Sequence, residues 1–175
     1  MARRVIGLDV GTHAVRVAEV ELEDPPRVTA FGQVALPYDA VRDGEVVDAG
    51  AVTKAVERLW NELGLGKGEV RLGIASPRVI VRTVDMPAMS EADLEGALRF
   101  QAGDLIPIPL DEAAFDFQVL ETVAPAEDAG ADAEPMQRVL VAAAHRDTVD
   151  RLADAVRAAG VRVAAVDLVP LALVR

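Results

Sequence analysis

The amino-acid sequence predicts a mixed α/β (α+β) fold, and three observations in its first half carry that prediction. Val5–Val10, Ala14–Val20 and Arg27–Leu36 are apolar, β-prone runs separated by short turn signals, which reads as an antiparallel meander. An amphipathic helix follows from about Ala49 to Leu63, because Val52, Ala55, Val56, Leu59, Trp60 and Leu63 recur at helical spacing. Glu69–Ala75 then returns to β character, and a strand reached through a helical crossover belongs in the same sheet as the strand before it.

The first hairpin carries the chemistry. Gly11, Thr12 and His13 connect its two strands, with Asp9 at the end of the first and Arg16 early in the second. A glycine in the turn lets the backbone bend without a Cβ in the way, and Thr12 adds a hydroxyl beside successive backbone N–H groups, so the turn is suited to cradling a phosphate. Asp9 is placed to face a metal ion through its water shell, and Arg16 to put a cation near the same oxygens. An ordinary structural hairpin has the same outline.

Asp24-Pro25-Pro26 turns the chain into the third strand, and Pro37–Asp48 holds an Asp43-Gly44 turn before Asp48 caps the helix. Gly64 stops that helix, and Trp60 is expected in the core. At Ser76-Pro77 the character changes. Val79–Val84 is a β-branched run ending at Met86-Pro87, and Ser90 with Asp93 opens a second helix over about Glu91–Asp104, with Leu94, Ala97, Leu98 and Leu105 as its apolar stripe. In Leu105–Leu110 the two prolines remove backbone donors and fix φ, which predicts a stiff, extended and exposed apolar strip able to dock a partner or to pack a helix end. Phe115–Thr122 alternates as a strand, 124–136 is an acidic Ala/Pro/Gly-rich stretch read as a mobile loop, and Gln137–Ala144 is apolar enough to be central. His145 sits where a third helix opens, Asp147–Ala159, with Val149, Leu152, Ala153 and Val156 as its buried face and Gly160 as its stop. Arg162–Asp167 forms a last strand, and Val169–Val174 begins an apolar helix that would normally continue and pack, so the chain reads as cut.

Composition narrows the function classes. Half of the residues are apolar, so a 175-residue chain can form a sizeable core. The net charge is −11 and no Lys/Arg cluster interleaves with aromatics, which argues against a nucleic-acid surface. The absence of cysteine excludes disulfides and thiolate metal sites, and His13 and His145 are too few for a zinc centre. The N-terminal apolar run is broken at Asp9, too short and polar for a secretory core or a membrane span.

Three stretches carry a family resemblance. IGLDVGTHAVRVAEV, Ile6–Val20, resembles the phosphate-1 hairpin of the actin-like ATPases. PAMSEADLEGALRFQAGDLIPIPLDEAAFDFQVL, Pro87–Leu120, resembles the inserted subdomain of the PilM family of type IV pilus assembly proteins, and Arg42–Asp48 is similar to that family's wording before the first helix. The resemblance spans nearly all of this chain but only the first half of the family's length.

The resemblance implies an actin-like subdomain 1A formed by residues 1–76 and 161–175, with a small α/β subdomain 1C inserted at 77–160. Asp9, Gly11, Thr12, His13 and Arg16 match the first phosphate motif, which in a full-length protein would serve ATP with Mg²⁺. His13 stands where the family usually has a small polar residue, and Arg16 where it usually has lysine, which keeps the charge but not the compact ammonium. The second lobe's nucleotide loops are missing, so this chain is expected to bind no nucleotide by itself and to catalyse nothing. The family's role implies a cytoplasmic adaptor at the inner face of the inner membrane that holds the N-terminal cytoplasmic tail of PilN and links it to the assembly motor ATPase. An extended tail docks between 1A and 1C in the family, and Val79, Val81, Leu105, Ile106, Pro107 and Ile108 are the residues expected to meet it here. A polymerising FtsA-like protein, a GspL-like secretion component and an active ATPase or kinase are the alternatives on the same fold.

Overall fold

The computed structural model describes residues 3–66, 68–124 and 134–174. In chain order its elements are β1 (Arg3–Val10), β2 (Ala14–Leu22), β3 (Arg27–Ala35), β4 (Val41–Arg42), β5 (Glu45–Val46), α1 (Ala49–Leu63), β6 (Glu69–Ile74), β7 (Ile80–Pro87), α2 (Glu91–Leu105), β8 (Ala113–Val123), β9 (Met136–His145), α3 (Arg146–Ala158), β10 (Arg162–Leu168) and α4 (Val169–Val174). They form two compact units, Met1–Pro77 with Asp147–Arg175, and Arg78–Arg146.

The first unit is built on a five-stranded mixed sheet in the order β10-β6-β1-β2-β3. The meander is antiparallel, while β6 and β10 run parallel to β1, as a helical connection requires. Alternate residues of β1, Ile6, Leu8 and Val10, are buried; Leu8 and Val10 stand in register with Val17 and Val15 of β2, and Ile6 and Leu8 with Val70 and Leu72 of β6. Val52, Val56 and Leu59 of α1 and Leu152 and Val156 of α3 are buried in the same unit. A Cβ on Gly32 would lie 2.9 Å from Leu63, so the missing side chain lets α1 settle onto β3. The two helices are tied directly, because the Thr53 hydroxyl is 2.9 Å from the carbonyl of Ala155.

The ends of α1 follow the sequence signals. Asp48 is the N-cap and accepts the Ala51 N–H at 2.9 Å; Gly64 closes the helix in the left-handed region with φ 61°. The Asp43-Gly44 turn joins β4 to β5, and both central residues have positive φ, the requirement of a two-residue hairpin with the twist of its strands. The short strands either side of it were not foreseen.

The second unit is a three-stranded antiparallel sheet, β7-β9-β8, with β9 central as its apolar sequence predicts. Helix α2 opens on Ser90, whose Oγ accepts the Asp93 N–H and donates to the Asp93 carboxylate at 2.6 Å. Leu94 and Leu98 pack with Met86, Val139 and Val141. Ala102 joins the buried stripe where Ala97 and Leu105 are only half-buried.

Two expectations need correction. Residues 105–110 are not an exposed strip. Ile106 and Ile108 are 3% and 5% exposed and pack with Ala102, Ala113 and Ala143. An extended segment alternates its faces, so the isoleucines point inward while Pro107 and Pro109 face solvent, where their missing N–H groups cost nothing. The second correction concerns α3. It groups with the first unit, so the insert closes at Arg146 and not near residue 160. The loop read over 124–136 falls, for 125–133, outside the described residues. His145 is the last residue of β9, opposite Ala113, in keeping with a structural place before a helix.

Candidate functional site

The β1–β2 hairpin sets Asp9 directly opposite Arg16, on the sheet face away from the buried Leu8 and Val10. Their side chains meet, Arg16 Nη1 donating to Asp9 Oδ2 at 3.0 Å, with both about half exposed. The Gly11 N–H closes the turn on the Ala14 carbonyl at 3.0 Å, leaving Thr12 and His13 exposed at the tip. The His13 carbonyl accepts the Leu36 N–H at 2.8 Å, so the turn is also pinned to the end of β3.

Gly11 is needed for close approach and not for a left-handed backbone, since its φ is not positive. A Cβ there would lie 3.1 Å from Arg16 Nη1 and 3.6 Å from Asp9 Oδ2. The glycine thus leaves a small hollow against the ion pair, the kind of cradle that a phosphate oxygen fits.

Parallel strands bring in a residue that sequence reading missed. Asp9 is in register with Gly73 of β6, and Gly73 with Asp167 of β10, so two carboxylates flank a glycine at the carboxyl ends of three adjacent parallel strands. Two strand spacings put their Cα atoms about 10 Å apart. Ligands of open α/β sheets bind outside that end of the strands. Asp167 Oδ1 accepts its neighbour's N–H, from Leu168, at 2.8 Å. Among the described residues no three His, Cys, Asp or Glu side chains converge as a metal site.

The remaining candidates separate sharply. Val81 lies on edge strand β7 and is 44% exposed, Val79 is half-buried just before it, and Pro107 is exposed. Leu105 is half-buried, and Ile106 and Ile108 belong to the core of the insert, so the two isoleucines offer no surface to a peptide. No described helix is long and apolar enough to cross a membrane.

Known proteins share this architecture. The structure is similar, with a TM-score of 0.80 and 27% identity, to a chain of the PilM-PilN type IV pilus biogenesis complex. The match covers 96% of this chain and 48% of that one, so the chain spans about half the length of this relative. The cytoplasmic domain of EpsL, an inner membrane component of the type II secretion system of Vibrio cholerae, shares the fold at a TM-score of 0.55 and 15% identity, over 94% of this chain and 57% of that one. The sequence model of the type IV pilus assembly protein PilM family matches residues 7–175, and the chain therefore belongs to that family.

Proposed function

We propose that this chain is the N-terminal part of a pilus-assembly adaptor that captures the cytoplasmic tail of PilN at the inner face of the inner membrane and couples it to the assembly motor ATPase. The observation that carries this reading is the likeness to the PilM-PilN complex along almost the whole chain, at an identity that exceeds fold resemblance alone. We assign the first unit to an actin-like subdomain 1A and Arg78–Arg146 to the inserted 1C. The exposed flank of β7, with Val79 and Val81, is the part of the insert suited to an extended peptide. An edge strand offers unpaired main-chain groups and alternate side-chain positions. The −11 body favours the basic residues common in juxtamembrane cytoplasmic segments.

ATP with Mg²⁺ belongs to the full-length protein in this reading. The hairpin fits it: the Gly11 hollow, the Thr12 hydroxyl and Arg16 would hold phosphate oxygens, His13 would border them, and Asp9 with Asp167 would face the water shell of the ion. The bound ion would neutralise phosphate charge. Asp9 must first release Arg16, which an exposed ion pair allows at a cost of at most about 1 kcal/mol. No residue here is assigned to catalysis.

Calorimetric titration with a synthetic PilN tail peptide tests the reading. Micromolar binding that is independent of magnesium ATP is expected, weakened at least tenfold by Val81→Asp with an unchanged circular dichroism spectrum. Absence of binding both by this chain and by the full-length protein would overturn it.

A further inference from the structure

We infer that β3 and α1 form a second docking groove, for an extended segment of a partner protein that is β-prone and carries one carboxylate. β3 is the last strand of its sheet, so its outer edge is unpaired among the described residues. The Leu36 N–H points inward to His13, and the alternation of an antiparallel ladder then turns the N–H and C=O groups of Phe31, Gln33 and Ala35 outward. Three outward residues in a row can receive a strand.

Past Arg27 at its start, this edge lacks the usual protections. Val28–Ala35 carries no charge and no proline, and Val28 and Phe31 are 61% and 65% exposed. The opposite edge strand, β10, bears Arg162 and Asp167.

Beside the end of β3 runs a groove of about 440 Å³, with Val34, Ala51 and Ala55 among its apolar residues, Lys54 and Arg58 on the helix, and Asp48 at the helix start, where its Oδ1 accepts the Ala51 N–H. Arg58 pairs with Glu62 at 2.6 Å, whereas Lys54 forms no ion pair among the described residues. Gly32 and Val34 face α1, so an added strand would send alternate side chains toward the helix and the others alongside Phe31. A carboxylate on the helix side meets Lys54 and Arg58, one helical turn apart. A helix flanking an open strand edge is the geometry by which peptides are bound through strand addition. Charge selects the occupant. Two copies of a −11 chain repel when set edge to edge, and a strongly acidic peptide is repelled by the same field, while inside the groove Lys54 and Arg58 oppose a basic side chain, which leaves a segment with a single acid facing them.

The test is selection from a display library of random nine-residue peptides on the 175-residue chain, with the Gln33→Pro variant as counter-target. Proline at an outward-facing edge position removes one donor without breaking the sheet. The selected peptides are expected to alternate β-branched residues around one Asp or Glu and to shift the amide resonances of Phe31, Gln33 and Ala35. They should bind at least tenfold more weakly to Lys54→Glu, a substitution on an exposed helical position. Absence of enrichment over the Gln33→Pro chain, enrichment of basic peptides, or resonance shifts confined to other strands would overturn the inference. A concentration-dependent dimer that Lys54→Glu leaves intact and Gln33→Pro abolishes would also overturn it, by giving the edge to a second copy.

Discussion

Replacing Gly44 with alanine is expected to destabilise the first unit by about 3 kcal/mol. Two costs add. Gly44 has φ 75°, and an alanine in the left-handed region costs about 1–2 kcal/mol. The added Cβ would also stand 2.0 Å from the Ala75 carbonyl oxygen, 2.8 Å from its carbon and 2.9 Å from Ser76 Cα. These are backbone atoms, so no rotamer change relieves the contact, and the β4–β5 turn must retreat by about 1 Å from the chain leaving β6, at an overpacking cost of about 1–3 kcal/mol. Urea unfolding followed by the fluorescence of Trp60, the single tryptophan and a residue of α1, reads this unit. With a slope of about 2 kcal/mol/M, the midpoint should fall by about 1.5 M. Gly7→Ala, where a Cβ meets nothing within 4 Å, is the control and should stay within about 0.5 kcal/mol of the parent. A Gly44→Ala midpoint equal to that of the control would refute the reasoning. Gly73 lies just upstream of the clash, so the substitution should also disturb the amide resonances of Asp9 and Asp167.

Three further outcomes are expected. Ile106→Asp should unfold the insert, at a cost above about 3 kcal/mol, because it buries a carboxylate in a packed site; faster amide exchange in β9 measures it, and unchanged exchange would contradict the assigned burial. The Glu21 carboxyl is held below its ordinary range chiefly by the hydrogen bond from Arg27, with Arg4 adding to the effect against the opposing influence of burial. Its stabilising contribution is therefore complete above about pH 4.3, the unfolded value, and is lost as pH falls through the lowered folded value. The stability gap between the parent and Glu21→Gln should close over that acidic interval in paired urea titrations, and a constant gap would argue against the pairing. Arg16→Ala should change stability by less than about 1 kcal/mol, since the pair it breaks is half exposed; a larger loss in thermal unfolding would mean that Arg16 holds the hairpin together.

Much of the fold could be read from residue pattern. The meander, α1 with its Asp48 cap and Gly64 stop, and the central place of β9 all rest on local periodicity and caps, which are written into neighbouring residues. At residues 105–110 the prolines mark exposure of their own face only, and the isoleucines alternating with them are buried. The strict Ile-Pro alternation is itself the signal of one buried and one solvent face. The partner of α3 was out of reach, since an amphipathic helix shows that it has a buried face and not which sheet will cover it. The candidate site divides the same way. Asp9 and Arg16 oppose each other across a tight hairpin, so their spacing predicts their meeting. Asp167 arrives on a distant strand whose place beside β6 is fixed only when the sheet assembles, and nothing near it in sequence marks it.

The insert begins and ends on paired strands, Ile80 of β7 standing opposite Ala143 of β9. Its two ends are therefore about 5 Å apart once it has folded. For the rest of the chain this replaces a flexible connection of about 70 residues with a short rigid staple, and the saved closure entropy is of order 2 kcal/mol. Folding of the first unit should accordingly wait for, and be accelerated by, folding of the second. A circularly permuted chain opened within the insert would lose that advantage, whereas a chain in which a tight hairpin replaces the insert would keep it.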